Sequence, residues 1–154
     1  MKTFNCIVLL CCILAIGACK EDFQNDNGPV DVQNVHFIPC SSNSSNGLRA
    51  DNGESIRFVA ISDNSLRIEQ DVIANCCMEE FEVQQPVVKN GQIFINQYTK
   101  GDGCNCVCLT KTSFEVENLI KNRTYVFVIK KNDLDYYSCK VTFTSSTDVI
   151  FTIL

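Results

Sequence analysis

RTYVFVIKK, residues Arg123–Lys131, is the stretch whose period decides the fold. In an extended chain Tyr125, Phe127 and Ile129 fall on one face and Thr124, Val126 and Val128 on the other, the two-residue alternation of a β-strand. The same alternation continues outward. SCKVTFTSS sets Val141 and Phe143 against Thr142 and Thr144, and EFEVQQPVV and QIFINQY flank a hairpin signal at Lys89–Gly91. SIRFVAIS, SLRIEQDV and VIFTIL add three more strands, and turn-formers recur at Asp63-Asn64, Lys100–Gly103, Lys121-Asn122 and Asn132-Asp133. No stretch carries a helical period. Some seven to eight short strands separated by turns predict an all-β, antiparallel sandwich.

The chain opens differently. In MKTFNCIVLLCCILAIGAC, Lys2 precedes an apolar run from Ile7 to Ile16, shorter than the roughly 20 residues that cross a bilayer. A basic start, a short apolar stretch and small residues at its end describe a secretory signal rather than a folded element. Ile16, Gly17 and Ala18 stand directly before Cys19, which resembles the lipobox of bacterial lipoproteins. That resemblance implies removal of residues 1–18 and fatty acylation of Cys19, anchoring the protein to a membrane; the alternative is an ordinary signal peptide with Cys19 a plain thiol. Lys20, Glu21 and Asp22 resemble the surface-export signal of Bacteroidetes lipoproteins, which implies an outer-membrane protein exposed at the cell surface. The alternative is a solvated tether that stays periplasmic. Residues 19–33 are polar and interrupted by Gly28-Pro29, a composition that buries too little apolar surface to fold alone.

Residues 34–154 are then the domain, and about 120 residues suit a single core. Loss of Lys2 moves the formal charge from −5 to −6. No basic cluster tracks a phosphate backbone, so nucleic acid is not an expected partner. Within the domain, Leu119, Thr124 and Tyr125 resemble the fibronectin type III pattern. There, a tyrosine hydroxyl bonds back to the backbone at the corner between sheets. The resemblance implies an immunoglobulin-like architecture with a tyrosine corner built on Leu119 and Tyr125. The usual turn proline and glycine are replaced by Lys121 and Asn122, and the chain has no tryptophan for the core.

Cysteine supplies the chemistry. Of 11 in the chain, Cys6, Cys11 and Cys12 lie in the signal and Cys19 is the expected lipid site, leaving Cys40, Cys76, Cys77, Cys104, Cys106, Cys108 and Cys139. Outside the cytoplasm such residues form and keep disulfides, and an odd number leaves at least one unpaired. GDGCNCVCLTK, Gly101–Lys111, repeats cysteine at every second position. Same-face side chains of a flat strand are about 6.6 to 6.8 Å apart, whereas sulfurs around tetrahedral zinc lie about 3.8 Å apart. A metal therefore requires the glycines to curl the segment and Cys76 or Cys77 to join Cys104, Cys106 and Cys108. Zinc or copper held by that set is the alternative reading. Disulfides demand less, because cross-strand pairs sit near bridging distance. Vicinal Cys76 and Cys77 point to opposite faces and are expected to take separate partners; connectivity is not legible. A redox centre ranks last, since no Cys-x-x-Cys opens a helix.

Positive signs of catalysis are lacking. His36 is the sole histidine and no Gly-x-Ser-x-Gly elbow accompanies it; it is expected to be a half-buried strand residue. Glu115 and Glu117 share a strand face opposite Phe114 and Val116 and are expected to wet the outer surface. One of Tyr136 and Tyr137 is expected to face the core. Three functions remain: a lipid-anchored, non-catalytic binding or assembly module for a protein or glycan partner, a metal-thiolate protein, and a hydrolase based on His36.

Overall fold

A computed structural model describes residues 28–40 and 53–153. The expected signal peptide, Cys19 and residues 20–27 of the tether lie outside the described residues. Among the described residues ten strands follow in chain order: β1 (Asp31–Ile38), β2 (Ser55–Ala60), β3 (Leu66–Asn75), β4 (Glu80–Val83), β5 (Val87–Lys89), β6 (Gln92–Lys100), β7 (Val107–Glu117), β8 (Thr124–Lys131), β9 (Leu134–Thr142) and β10 (Asp148–Thr152). They form two five-stranded sheets. One has the order β1-β7-β3-β2-β10; the other runs β4-β6-β8-β9, with β5 also on β6.

The strand count exceeds the seven to eight expected, for two local reasons. EFEVQQPVV divides into β4 and β5 because Pro86 has no N–H to give a ladder, although Gln84 still donates its N–H to Asn96 O at 2.9 Å. In addition, β1 begins at Asp31, inside the stretch expected to be tether, with Val30 and Val32 buried in the core. The turns follow side-chain chemistry. Every described non-glycine residue with positive φ is Asn or Asp: Asn34, Asn90, Asn118, Asn122, Asn132 and Asp133, the residue types that tolerate the left-handed region best. Asn90-Gly91 and Asn132-Asp133 each place two successive residues at positive φ, the twist that a tight two-residue hairpin requires.

The all-β sandwich is as expected and its pairs are mostly antiparallel, with one exception among the described strands: β6 and β8 pair in parallel from Gln92↔Val126 to Gln97↔Lys131. Parallel neighbours need a long crossover, and β7, lying in the opposite sheet, provides it. The pairs β3–β7 and β8–β9 are antiparallel and lie in facing sheets, as the corresponding strands of an immunoglobulin-type sandwich do. There, however, an antiparallel strand occupies the place beside the β8 equivalent that β6 takes here.

The core sits between the sheets. Phe58, Leu66, Ile68, Phe114 and Val116 from the first sheet are fully buried against Ile93, Ile95, Tyr125, Phe127 and Ile129 from the second. Phe58 and Phe127 meet across the gap with ring centroids 5.0 Å apart. Leu119 is fully buried, and Ile120 donates its N–H to the Tyr125 hydroxyl at 2.7 Å, tying the β7–β8 connection to the start of β8. Further along β3 and β7 the inward positions include polar groups: Gln70, Thr110 and Thr112 are buried among Val72 and Ala74, and the Thr112 hydroxyl donates to Gln70 Oε1 at 3.1 Å.

Replacing Tyr125 with Phe keeps the ring and removes the acceptor for Ile120. The expected loss is about 1–2 kcal/mol of unfolding free energy with an unchanged denaturant slope, measured by urea titration. A neutral result would show that the corner does not depend on the hydroxyl.

Candidate functional site

Three strands of the first sheet end together, and the cysteines gather there. Cys40 follows β1, Cys76 and Cys77 follow β3, and Cys104 and Cys106 precede β7, whose second residue is Cys108. The bridges are Cys40–Cys108, Cys76–Cys106 and Cys77–Cys104, with Cα separations of 6.2, 5.4 and 5.9 Å, all inside the usual range of about 4.4–6.8 Å. Cys76 and Cys77 take different partners, as expected, although they lie in the turn that follows β3 and not in the strand itself. The strands supply the alignment. Antiparallel pairing of β3 with β7 runs out to Ala74↔Cys108 and Asn75↔Val107, which delivers the two flanking segments side by side.

Asn75 organises the junction, a role that no motif in the chain signals. Its Nδ2 donates to Cys104 O at 2.7 Å, while its Oδ1 accepts from the N–H of Cys77 at 2.9 Å and of Cys104 at 3.3 Å. Gly101 lies at φ 145°, and a Cβ there would stand 2.2 Å from Cys77 O and 3.0 Å from Glu79 N. Backbone meets backbone at that point, so the position requires glycine. Beneath this loop is a cleft of about 230 Å³ lined in part by Ile73, Met78, Asp102 and Lys131. The Lys131 ammonium donates to Ile73 O at 3.2 Å and sits 5.5 Å from the Tyr136 ring centre.

The metal reading meets a difficulty in this arrangement. Cys104, Cys106 and Cys108 are each bonded to a different partner and offer no thiolate while the bridges stand. The sulfurs that do crowd together are those of Cys40, Cys76 and Cys108, mutually within 4.8 Å. They mark two disulfides lying side by side. Among the described residues Cys139 is the unpaired cysteine, buried in β9 opposite Phe127. Burial pushes its thiol up to about 12, so it is a core side chain rather than a nucleophile.

Elsewhere the first sheet presents a groove of about 420 Å³ on its outer face, lined among others by His36, Arg57, Glu69, Asp71, Lys111 and Ile150. Its charges are mostly paired with each other: Arg57 with Asp148 at 2.7 Å and with Glu69 at 3.5 Å, and Lys111 with Asp71 at 3.1 Å. His36 is exposed rather than half-buried, because the β1 bulge between Gln33 and His36 places it opposite Ser113 on the outward row. Glu115 and Glu117 stand on that outer face. Arg67 and Asn34 bond the Glu115 carboxylate, and the Arg67 hydrogen bond is the chief cause holding it below the usual glutamate range. Gln33 bonds Glu117 at 3.1 Å. Tyr136 and Tyr137 are both half-buried, and both pack against the core.

Two measurements follow from the bridges. They are nested: Cys77–Cys104 lies within Cys76–Cys106, which lies within Cys40–Cys108. Once Cys76–Cys106 is closed, the inner bridge constrains only a short ring, whereas the outer one still closes a long loop. In the chain-entropy account, removing Cys40 and Cys108 together costs about 4 kcal/mol and removing Cys77 and Cys104 about 2 kcal/mol or less, compared by denaturant unfolding of the two double variants. Thiol alkylation without reduction should label one cysteine within residues 28–154, Cys139, and only after unfolding. The raised Cys139 value sets the alkaline behaviour. Its share of stability is complete below the ordinary thiol value of 9.0 and is lost as pH rises toward about 12, so Cys139→Ala should flatten that limb of the stability curve.

The chain matches no protein-family model, no curated protein and no solved structure. What its residues form is a cross-linked strand junction at one end of a sandwich and a groove of paired charges on one face.

Proposed function

We propose that this protein is a lipid-anchored component of the cell envelope, held at the outer membrane through Cys19, that works as a non-catalytic binding or assembly module. The observation that carries the reading is the set of three bridges at one strand junction, chemistry that belongs to an oxidising compartment. An acylated cysteine followed by a polar tether fits the same location. Each buried methylene contributes about 0.8 kcal/mol, so two or three acyl chains hold stably where one does not.

Several features favour binding over catalysis. The carboxylate nearest to a catalytic role, Glu115, is kept below its ordinary range by Arg67 and Asn34, the opposite of what a general acid needs. Cys139 is buried with a raised thiol value. The outer groove offers hydrogen-bonding and charged side chains on a rigid sheet, rimmed by exposed Ile38 and Ile150. Neither cleft is lined by phenylalanine or tyrosine, so a protein partner suits these surfaces better than a glycan needing an aromatic platform.

Cys19→Ala in the full chain tests the anchor. The variant should lose incorporation of labelled palmitate and move from the membrane pellet to the soluble envelope fraction. Retention in the membrane with label intact would sink the proposal.

A further inference from the structure

Of the sheet edges among the described residues, β10 is the least defended, and its pattern fits a copy of itself. The edge strand β1 carries a bulge between Gln33 and His36, with Asn34 at φ 51°. On the second sheet, β9 carries the extra residue Tyr136 in its pairing with β8 and the charges of Asp135 and Lys140. β4 has four residues, including Glu80 and Glu82, and β5 has three. Bulges, charges and short length are the devices that keep edges from pairing. β10, the five residues DVIFT, pairs with β2 without a register break and contains no lysine, proline or bulge, and its one charge, Asp148, is paired with Arg57 of β2.

Two hydrogen bonds set the phase of this edge. Ile153 donates its N–H to Glu54 O at 2.8 Å, and Ala60 donates to Thr147 O at 2.8 Å. The Thr147 carbonyl and the Ile153 N–H therefore point toward β2 and its flank, and in an antiparallel ladder the N–H and C=O groups of 149 and 151 do the same. The N–H and C=O groups of Asp148, Ile150 and Thr152 point to the free side. Ile150 is 64% exposed on the outer face, while Phe151 packs toward Phe58 and Tyr137 with centroids 5.9 and 6.1 Å away. The strand is thus docked on the core, and among the described residues no strand pairs with its outer side.

We propose that β10 of one copy pairs antiparallel with β10 of a second copy about a two-fold axis through Ile150. In that register the outward-pointing groups meet in phase. Ile150 faces Ile150 of the second copy and Asp148 faces Thr152, an arrangement that forms about six ladder hydrogen bonds and sets no like charges opposite each other. Val149 meets Phe151 on the inner side. The two five-stranded sheets become one continuous sheet. The outer-face groove, which Ile150 lines, then runs across the two-fold into its counterpart. The pairing does not depend on the anchor or on any ligand.

Ile150→Cys in the full chain tests this directly, with Leu134→Cys on β9, 74% exposed, as the control. Directly opposed residues in this register have Cα atoms about 5.5 Å apart, within disulfide reach. Under mild oxidation Ile150→Cys should yield at least about tenfold more reducible dimer than the control, because paired strands hold the thiols at an effective concentration that encounter does not reach. Ile150→Lys, which opposes two ammonium groups, should shift purified protein from dimer to monomer in sedimentation with little change in thermal midpoint. Equal cross-linking of the two cysteine variants, a dimer that survives Ile150→Lys, a wild-type monomer at all concentrations, or cross-linking of the Ile150→Cys variant to a different protein would each overturn the proposal.

Discussion

The contact between Phe58 and Phe127 is the one on which the rest of the structure depends. One ring comes from β2 in the first sheet and the other from β8 in the second, and they meet at 5.0 Å. Each sheet alone would leave a row of large apolar side chains in water, and burying them is the main favourable term in folding. Phe114, Ile68 and Leu66 on one side and Tyr125, Ile129 and Ile95 on the other extend this contact into a continuous layer. With that layer formed, the face of every strand is assigned. A slip of one residue in β8 would turn Tyr125, Phe127 and Ile129 to solvent and bring Val126 and Val128 inside.

The disulfides do a different job. They lie away from the aromatic layer, beyond the inward-facing Gln70, Thr110 and Thr112, where the buried apolar side chains are the smaller Val72 and Ala74 with Met78. The ends of β1, β3 and β7 are neighbours in the sheet, and the segments that join β3 to β4 and β6 to β7 cross to the second sheet side by side, Cys76 donating its N–H to Cys106 O and Glu79 to Lys100 O. Covalent links hold the three ends together at this junction. Nesting means that the links are unequal, the outer one tying β1 to β7 and the inner two pinning the loop. Asn75 and Gly101 complete the junction by satisfying and accommodating backbone that passes within van der Waals contact.

The character of the exposed surfaces follows from this division. A cross-linked loop end and a rigid outer face are suited to presenting side chains in fixed positions. On that face the pairing of Arg57 with Asp148 and Glu69, and of Lys111 with Asp71, leaves a groove of both signs rather than a field of one sign. In the binding role proposed, such a surface would discriminate by shape and hydrogen-bond geometry more than by long-range attraction. Under the pairing proposed for β10, that groove continues into its counterpart on a second copy.

Much of the architecture was legible because its causes are local. Alternation in RTYVFVIKK marks a strand, and Asn90-Gly91 and Asn132-Asp133 mark tight turns, since pleating and positive φ act within a few residues. Vicinal Cys76 and Cys77 take the separate partners expected of them, although from a turn and not through the two-residue period of a strand. The division of β4 from β5 was also written locally, in Pro86, but an apolar run on both sides of it read as one strand. Other features depend on residues far apart in the chain, where one sequence leaves many arrangements open. These are the parallel pairing of β6 with β8, the capture of Asp31–Gln33 into β1, the exposure of His36 through a bulge and the partner of each cysteine. An all-β chain with bridging cysteines could be read from the residues alone, because strand period and thiol chemistry are properties of short segments. Which strands lie side by side could not, and with it the meeting of Cys40 with Cys108 and the place of β10 at an edge. Those neighbours are selected when distant segments bury one shared core.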